Sequence, residues 1–257
     1  MKSALLAILL ANVPPGQTYY SVEPSSCGEE CGATWSSHYE SWVVQESAET
    51  GAARYEMIVD ALVDEARTLL CTDEEPECVA YRGEASWKYP QPWELDELVA
   101  LAATTAIYES GFREDVQVGR GRSGEPSDDR GEGRGPSNEA CFMQIHPVIA
   151  WRFADDAFEL RGAAEQGDRE ARELIASGLL GTDAYAVASC FRTGLRMLIH
   201  ARAHCAWAAP QTPWAYATLS LYGTGTTCQG AKSTAKRVAT YYRLLRKLRA
   251  LQEVQGA

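Results

Sequence analysis

The stretch from Leu95 to Phe112 constrains this chain most, because it combines a core helix with a single carboxylate near its end. Acidic residues crowd its first turn, where they complement the positive end of the helix dipole, and Gly111 suits the left-handed residue that ends many helices. Apolar residues recur at helical spacing and predict one buried face: Leu95, Leu98, Val99, Ala102, Ala103 and Ala106.

Glu109 is the residue on which a functional interpretation depends. It lies three residues after Ala106 and seven after Ala102, so its side chain projects from the apolar face or its border. Partial burial and the negative end of the helix dipole both disfavour a carboxylate, and we therefore expect a raised pKa for Glu109. A carboxyl group that keeps its proton near neutral pH can act as a general acid. Taken alone, however, the same pattern more often marks a solvated glutamate.

The composition is that of a soluble globular protein. The chain has 257 residues, 46% of them hydrophobic and 23% charged, enough for a large core in one domain or two. Its net charge of −11 argues against nucleic acid as a partner, because nucleic-acid binding needs a basic surface. Basic residues concentrate in the last helix, where a solvated face is a simpler interpretation than binding to an anionic polymer or lipid.

The sequence predicts no metal and no cofactor. Cys27 and Cys31 have a spacing seen in zinc sites, but no second Cys/His pair follows at a suitable interval. His200 and His204 stand four residues apart on a predicted helix, yet no glutamate adjoins His200 as the zinc-protease motif requires.

Eight cysteines, an even number, indicate disulfides and an oxidising compartment. Cys71 and Cys78 flank a short acidic turn and are suited to pair with each other. Cys190 and Cys205 lie 15 residues apart on one predicted helix, too far along its axis to form a bond. We expect Cys205 to pair with Cys228.

Residues 1–20 resemble a signal peptide, with Lys2 followed by a short apolar run from Ala4 to Leu10. A frayed apolar N-terminus is the alternative. The run is shorter than the ~20 residues that a stable membrane-spanning helix needs. We therefore expect an exported protein, periplasmic or extracellular, with no stable membrane span.

The rest of the chain reads as helices joined by irregular segments, with no strong strand signal and no repeat. Residues 16–50 read as a loop-rich segment, 72–92 as a connector, and the glycine-rich residues 115–139 as a long irregular loop without a phosphate-binding motif. Thr182 is predicted to cap a helix that begins at residue 183. The further helices are predicted at 52–71, 155–177, 183–208, 214–222 and 234–253.

Three short motifs follow one another in the second half of the chain. They are Tyr-Glu-Ser-Gly-Phe at 108–112, Phe-Met-Gln-Ile-His-Pro at 142–147 and Leu-Tyr-Gly-Thr-Gly at 221–225. In this order they resemble the lytic transglycosylases of the lysozyme-like superfamily, which show Glu-Ser at a helix end, then a Gly-Leu-Met-Gln-Ile-like and a Tyr-Asn-x-Gly-like segment. The resemblance covers about 91–250. It departs from the pattern at Cys141, where the family often has Gly, and at Gly223, where it usually has Asn.

The resemblance implies a mainly α fold: a lysozyme-like helical domain at 91–257 with a long irregular loop and disulfides. The signal-like segment 1–20 and a loop and helix extension at 21–90 would precede it. The implied activity is cleavage of peptidoglycan glycan strands between N-acetylmuramic acid and N-acetylglucosamine. Glu109 would act first as acid and then as base, while the substrate's own hydroxyl attacks and closes an anhydro ring. His146 is not catalytic in this pattern. The implied substrate-binding residues are Ser110, Met143, Gln144, Tyr222 and Thr224.

Two alternatives stay open. A hydrolytic lysozyme would need a second carboxylate, and the candidates are acids of the long loop whose default interpretation is solvation: Asp115, Asp128, Asp129 and Glu132. A non-catalytic wall-binding or structural module on the same fold is the other alternative. Secretion-apparatus or virion proteins are then candidate partners, and a virion-associated location is a candidate besides export.

Overall fold

The computed structural model describes residues 1–13, 15–21, 32–38, 40–70, 93–119, 139–154, 158–230 and 232–256. The chain is mainly helical, as predicted. The helices are α1 Lys2–Asn12, α2 Ala48–Leu70, α3 Leu95–Glu109, α4 Glu114–Gln117, α5 Pro147–Ala150, α6 Phe158–Glu165, α7 Arg169–Ser177, α8 Ala184–Ala208, α9 Trp214–Thr224 and α10 Lys232–Gly256. The strands are β1 Thr18–Ser21, β2 Gly32–Ser36 and β3 Ser41–Gln45.

The chain divides into two compact units that each draw on separate parts of the sequence. The helical unit comprises Met1–Ile8, Val59–Tyr108 and Phe191–Ala257. The sheet unit comprises Leu9–Ile58 and Glu109–Cys190. The predicted domain boundaries after residues 20 and 90 remain predictions.

Helix α3 is more deeply buried than its amphipathic pattern suggested. Nine consecutive residues, Leu98 to Ala106, are buried, so the helix has no solvated face along this length. The run includes two polar residues, Thr104 and Thr105. Their hydroxyls donate to the carbonyl oxygens of Ala100 and Leu101 one turn earlier, at 2.8 and 3.0 Å. Because both hydroxyls are satisfied within the helix, the two threonines can lie in an apolar core.

An aromatic stack around one arginine joins three helices of the helical unit. The Arg202 guanidinium of α8 lies 4.3 Å from the ring centroid of Trp93 and 4.2 Å from that of Trp214. Trp214 in turn packs edge-on against the fully buried Tyr241 of α10, with ring centroids 5.6 Å apart. Glu97 of α3 lies 3.8 Å from Nη1 of Arg202, so the half-buried cation has both a counter-charge and two π faces.

The predicted pairing of Cys205 with Cys228 is confirmed. The two Cα atoms lie 5.6 Å apart, and both cysteines are buried in a small cluster with Ala209 and Ala217. The bond links α8 to the segment that follows α9, so it closes a loop of the chain that contains α9. Cys27, Cys31, Cys71 and Cys78 lie outside the described residues.

The sheet unit contains the main departure from the predicted secondary structure. Within residues 16–50, predicted as a loop, three antiparallel strands pair in the order β1-β3-β2. Trp35 faces Trp42 across the β2–β3 pair, with ring centroids 5.6 Å apart. The residues are good strand formers, but four- or five-residue strands give too short an alternation to recognise.

Most predicted helices shift by a few residues at their ends, and two differences have a clear local cause. In place of one predicted helix at 155–177, the structure has two helices, α6 and α7. Gly167, at φ 98°, lies between them. The Asp168 side chain caps the start of α7 by accepting from Ala171 N. The cap of α8 is Asp183, whose carboxylate accepts from Ala186 N at 3.0 Å, and the prediction of Thr182 was wrong.

The N-terminal apolar run forms helix α1 rather than a frayed end. Ala4, Leu5 and Ile8 are buried, and Lys2 Nζ lies 3.1 Å from Asp60 and 2.8 Å from Asp64 of α2. Among the described residues, no helix combines the length and the apolar character needed to cross a membrane. The signal-peptide function of residues 1–20 remains a prediction.

We predict that Arg202→Lys lowers the free energy of unfolding by about 2 kcal/mol, because lysine lacks the planar group that contacts both tryptophan rings. Urea unfolding followed by tryptophan fluorescence measures the change. Arg246→Lys is the matched control, since Arg246 is exposed on α10. Equal stability of the two variants would show that the stack contributes nothing.

Candidate active site

Glu109 is the last residue of α3, and the backbone turns sharply after it. Glu109 is half-buried, whereas Ser110 is only 6% exposed. Gly111 and Phe112 both adopt left-handed conformations, at φ 60° and 59°. Gly111 thus occupies the predicted helix-ending position, but Phe112 pays the steric cost of a Cβ in this region. The Ser110 hydroxyl accepts from Phe112 N at 3.1 Å, so this side chain shapes the turn.

The turn is held from the N-terminal part of the sheet unit. Gln17 donates its side-chain amide to Gly111 O at 2.8 Å, and Arg54 donates Nε to Phe112 O at 2.8 Å. Arg54 is itself fixed by a two-pronged ion pair with Glu46, whose side chain is fully buried. Sequence analysis missed all three residues, because nothing local in the sequence links them to a turn far along the chain.

A second strained turn carries the Met-Gln motif. Ala140 and Ile145 exchange backbone hydrogen bonds of 2.9 and 2.8 Å, and the four residues between them form a tight loop. Cys141 at φ 60° and Gln144 at φ 49° are left-handed. Non-glycine residues in this conformation are uncommon and often mark functional sites.

Gln144 and Met143, both predicted to contact substrate, have different surroundings. Gln144 is half-buried, and its side-chain amide donates to Cys141 O at 3.3 Å. Met143 is fully buried and packs within the unit. The structure therefore places Gln144 at the border of solvent and Met143 behind it. Substrate binding by Ser110, Met143 and Gln144 remains a prediction.

A buried glutamine and a disulfide hold this second turn. Gln117 of α4 accepts from Phe142 N at 3.0 Å and donates to Leu179 O at 3.1 Å, so its amide bridges two backbones. Cys141 bonds to Cys190, with Cα atoms 6.0 Å apart. The sequence showed that Cys190 must pair away from its own helix, but it did not identify Cys141.

Aromatic rings connect the two turns. Phe112 packs edge-on against Phe142, with ring centroids 6.2 Å apart, and against Tyr55 of α2 at 5.7 Å. All three rings are buried. The turn after Glu109 and the turn that bears Gln144 therefore share one packed cluster within the sheet unit.

Glu139 is a carboxylate at this site that sequence analysis missed. It directly precedes the Ala140–Ile145 turn and is half-buried. Its pKa is raised, first by burial and then by the negative charge of Glu109, while His146 pulls the pKa down. The carboxyl group of Glu139 therefore interacts electrostatically with both Glu109 and His146. The one available signal was position: Glu139 is the acid next to the apolar motif segment.

His146 has a structural role as well. Its Nδ1 accepts from Val148 N at 3.1 Å and so caps helix α5, which begins with Pro147. The imidazole is exposed.

Asp115 is not the solvated loop acid that the sequence suggested. It lies in the short helix α4 with no exposed surface, and burial raises its pKa to about 6. Arg113 Nε, 3.4 Å from the carboxylate, opposes this shift, as do the backbone amides of Val116 and Asp115. Full burial removes Asp115 from contact with a substrate. The other loop candidates, Asp128, Asp129 and Glu132, lie outside the described residues.

The third motif belongs to the helical unit. Tyr222 is half-buried near the end of α9. Thr224 is exposed, but its hydroxyl donates to Ser220 O at 2.8 Å and accepts from Thr227 N at 3.2 Å, which fixes the end of the helix. Substrate contacts by Tyr222 and Thr224 remain predictions.

Comparisons with protein-family models, with curated proteins and with solved structures find no match for this chain. Within the described residues, His, Cys, Asp and Glu side chains form no group of three or more that could hold a metal ion.

We predict that Glu109→Gln lowers the pKa of Glu139, because it removes the negative charge that disfavours ionisation there. Conversely, His146→Asn raises the pKa of Glu139, and asparagine can still cap α5. Carboxyl carbon chemical shifts followed by NMR through a pH titration measure both changes. An unchanged Glu139 titration in both variants would contradict the coupling.

Asp115 gives a pH dependence of stability. The folded protein binds this proton more tightly than the unfolded chain, so ionisation of Asp115 lowers stability as pH rises from about 4 to about 6. We predict that Asp115→Asn gains stability relative to the native protein across this window, by up to about 3 kcal/mol. Urea unfolding at several pH values measures the difference, and exposed Glu165→Gln is the control. A difference that stays constant with pH would contradict the burial argument.

Proposed function

We propose that this chain is a lytic transglycosylase of the lysozyme-like type that cleaves the glycan strands of peptidoglycan. The observation that carries the proposal is the placement of Glu109: half-buried at the end of a buried helix, before a turn fixed by Gln17 and Arg54, and coupled to the carboxyl group of Glu139. A carboxyl group so fixed and partly desolvated suits proton transfer to a leaving oxygen.

In this mechanism Glu109 first donates its proton to the glycosidic oxygen between N-acetylmuramic acid and N-acetylglucosamine. The bond to the leaving sugar breaks, and positive charge develops at the ring carbon. Glu109, now ionised, takes the proton of the substrate's own hydroxyl, which attacks that carbon and closes the anhydro ring. The proton taken from the hydroxyl restores the acid form of Glu109, so the enzyme is ready for another strand. This mechanism needs no protein nucleophile and no cofactor.

Gln144 would present its amide to the sugar beside the reacting bond, and the strained turn supports this role. A left-handed glutamine costs conformational energy, which a purely structural position would avoid with glycine. Ser110 and Met143 would support the site from behind, because both are buried. Tyr222 and Thr224, which the resemblance implies as further substrate-binding residues, lie on α9 of the helical unit.

A hydrolytic lysozyme is the second candidate, and Glu139 is the observation that favours it. Hydrolysis with a pair of carboxylates needs one acid and one base or nucleophile on the two sides of the bond. Glu139 is then a candidate for the second carboxylate besides Asp128, Asp129 and Glu132, which lie outside the described residues. An exported location fits either enzyme, since disulfides form in oxidising compartments. Wall remodelling, secretion-apparatus assembly and virion entry are all settings for this chemistry.

We predict that the purified protein releases soluble fragments from peptidoglycan sacculi, and that Glu109→Gln lowers the rate at least about 100-fold. Mass spectrometry of the fragments identifies the reaction: anhydro-muramoyl ends mark a transglycosylase, and reducing ends mark a hydrolase. An unchanged thermal unfolding temperature shows that the variant remains folded. Full activity of this variant would exclude the role of Glu109.

Glu139→Gln separates the two enzymes. In a transglycosylase this variant still forms anhydro ends, with an altered pH profile because the coupled charge is gone. In a hydrolase that uses Glu139, activity falls as far as in Glu109→Gln. Binding of sacculi by the native protein without any release would instead support a wall-binding module.

A further inference from the structure

Helix α10 is basic, although the protein as a whole is acidic. Its 25 residues include seven lysines or arginines and a single acid, Glu253, whereas the whole chain has 24 basic and 35 acidic residues. One face of the helix packs into the helical unit through buried side chains, which include Tyr241, Leu244, Leu245 and Leu248. The apolar face is therefore already occupied, and the opposite face meets solvent.

Three cations on the solvent side of α10 have no acidic partner within the described part of the chain. Lys236, Arg243 and Arg246 are all exposed. Arg243 donates to the Thr240 hydroxyl and Arg246 donates to Tyr242 O, each at 3.3 Å, so neither bond neutralises the charge. These three side chains define the basic face of α10.

The pairing of another arginine on the same helix shows that nearby acids can neutralise such a charge. Arg249 forms ion pairs with Glu94 and Asp96, which lie at the start of α3. In a protein with a net charge of −11, acids are plentiful, yet none of those described pairs with the basic face. Cations that stay unpaired and exposed together are suited to an anion from outside the protein.

The geometry of the helix lets the three cations reach one flat surface together. At about 100° of rotation per residue, they lie within a sector of about 80° around the axis, and about 15 Å of helix separates Lys236 from Arg246. Ala239 and Ala250 lie in the same sector and are exposed. Because these two side chains are small, the helix can lie close to a planar partner.

Two exposed apolar or amphipathic side chains on the same side favour a lipid surface over a soluble polyanion. Tyr242 is 44% exposed and Val254 is 76% exposed. Tyrosine is enriched where lipid headgroups meet water, because its ring is apolar and its hydroxyl is polar. A hydrated polyanion offers no apolar layer for either side chain. Salt screens charges that lie more than about 8 Å away, so distant acids of this protein do not prevent the approach.

We propose that the basic face of α10, together with Tyr242, is a docking surface for an anionic phospholipid bilayer. The helix lies on the headgroups and does not insert, because its apolar face is packed in the protein core. Each Lys or Arg close to an anionic membrane strengthens binding about fivefold. This attachment goes beyond the proposed cleavage of peptidoglycan and does not depend on it.

The experiment measures co-sedimentation of the full chain with vesicles over a range of lipid concentrations. Vesicles of phosphatidylcholine and phosphatidylglycerol are compared with vesicles of phosphatidylcholine alone, and binding of soluble polyphosphate is measured by calorimetry. Arg243→Gln/Arg246→Gln is compared with Arg152→Gln/Arg169→Gln, which removes two charges from exposed positions of the sheet unit. Tyr242→Ser tests the contact with the headgroup layer. Thermal unfolding shows that each variant is folded.

We expect the native protein to bind the anionic vesicles, to release them at high salt and to leave the neutral vesicles unbound. Arg243→Gln/Arg246→Gln weakens binding about tenfold or more, because two of the three cations are gone. The control with two changes in the sheet unit keeps the native affinity. Tyr242→Ser weakens vesicle binding without weakening any binding of polyphosphate.

The proposal is overturned if the anionic vesicles are not bound, if neutral vesicles are bound equally well, or if both double variants lose the same affinity. A fourth result assigns the face to a soluble polyanion and excludes the bilayer: polyphosphate binds through Arg243 and Arg246, while Tyr242→Ser leaves vesicle binding unchanged. No measurement involves cleavage of sacculi, so an inactive protein would still test the docking surface.

Discussion

The burial of nine consecutive residues in the middle of helix α3, Leu98 to Ala106, is the constraint on which the candidate site depends. A helix with nine consecutive buried residues must satisfy every polar group without water, and Thr104 and Thr105 do so by bonding to their own helix. Solvent is reached only where the helix ends. Glu109 is the first carboxylate after the buried run, and it is half-buried at the last position of the helix.

The turn after Glu109 converts that position into a defined geometry. Phe112 adopts a left-handed conformation that costs an L-residue about 1–2 kcal/mol. Hydrogen bonds from Gln17 to Gly111 O and from Arg54 to Phe112 O offset this cost. The bond from Arg54 has a charged donor, and bonds of this kind contribute about 1.5–3 kcal/mol. Burial of the Phe112 ring between Tyr55 and Phe142 adds to it. Loss of Arg54 or Glu46 would therefore loosen the end of α3 without touching Glu109.

Features encoded by local patterns could be predicted from the sequence, and features that depend on distant contacts could not. The core helix, its end near Glu109 and the left-handed Gly111 follow from local spacing. The short strands of the sheet unit give no such pattern, and they pair only through register set by tertiary contacts. Cys141 and Cys190, 49 residues apart, are brought together by a turn that no local rule predicts. Asp115 and Glu139 border a glycine-rich segment that suggested solvation, whereas both are withdrawn from water to different extents.

The coupling of Glu109 with Glu139 bears on how one residue could serve twice. Coulomb repulsion between two carboxylates is mutual, so the doubly ionised state is disfavoured and the pair tends to retain one proton. In the proposed mechanism, the charge of an ionised Glu139 would favour the protonated form of Glu109, with which the reaction begins. The same repulsion would make an ionised Glu109 a stronger base toward the substrate's hydroxyl. A neighbouring carboxylate would thus assist both halves of a single-glutamate mechanism through charge alone, without contacting the sugar.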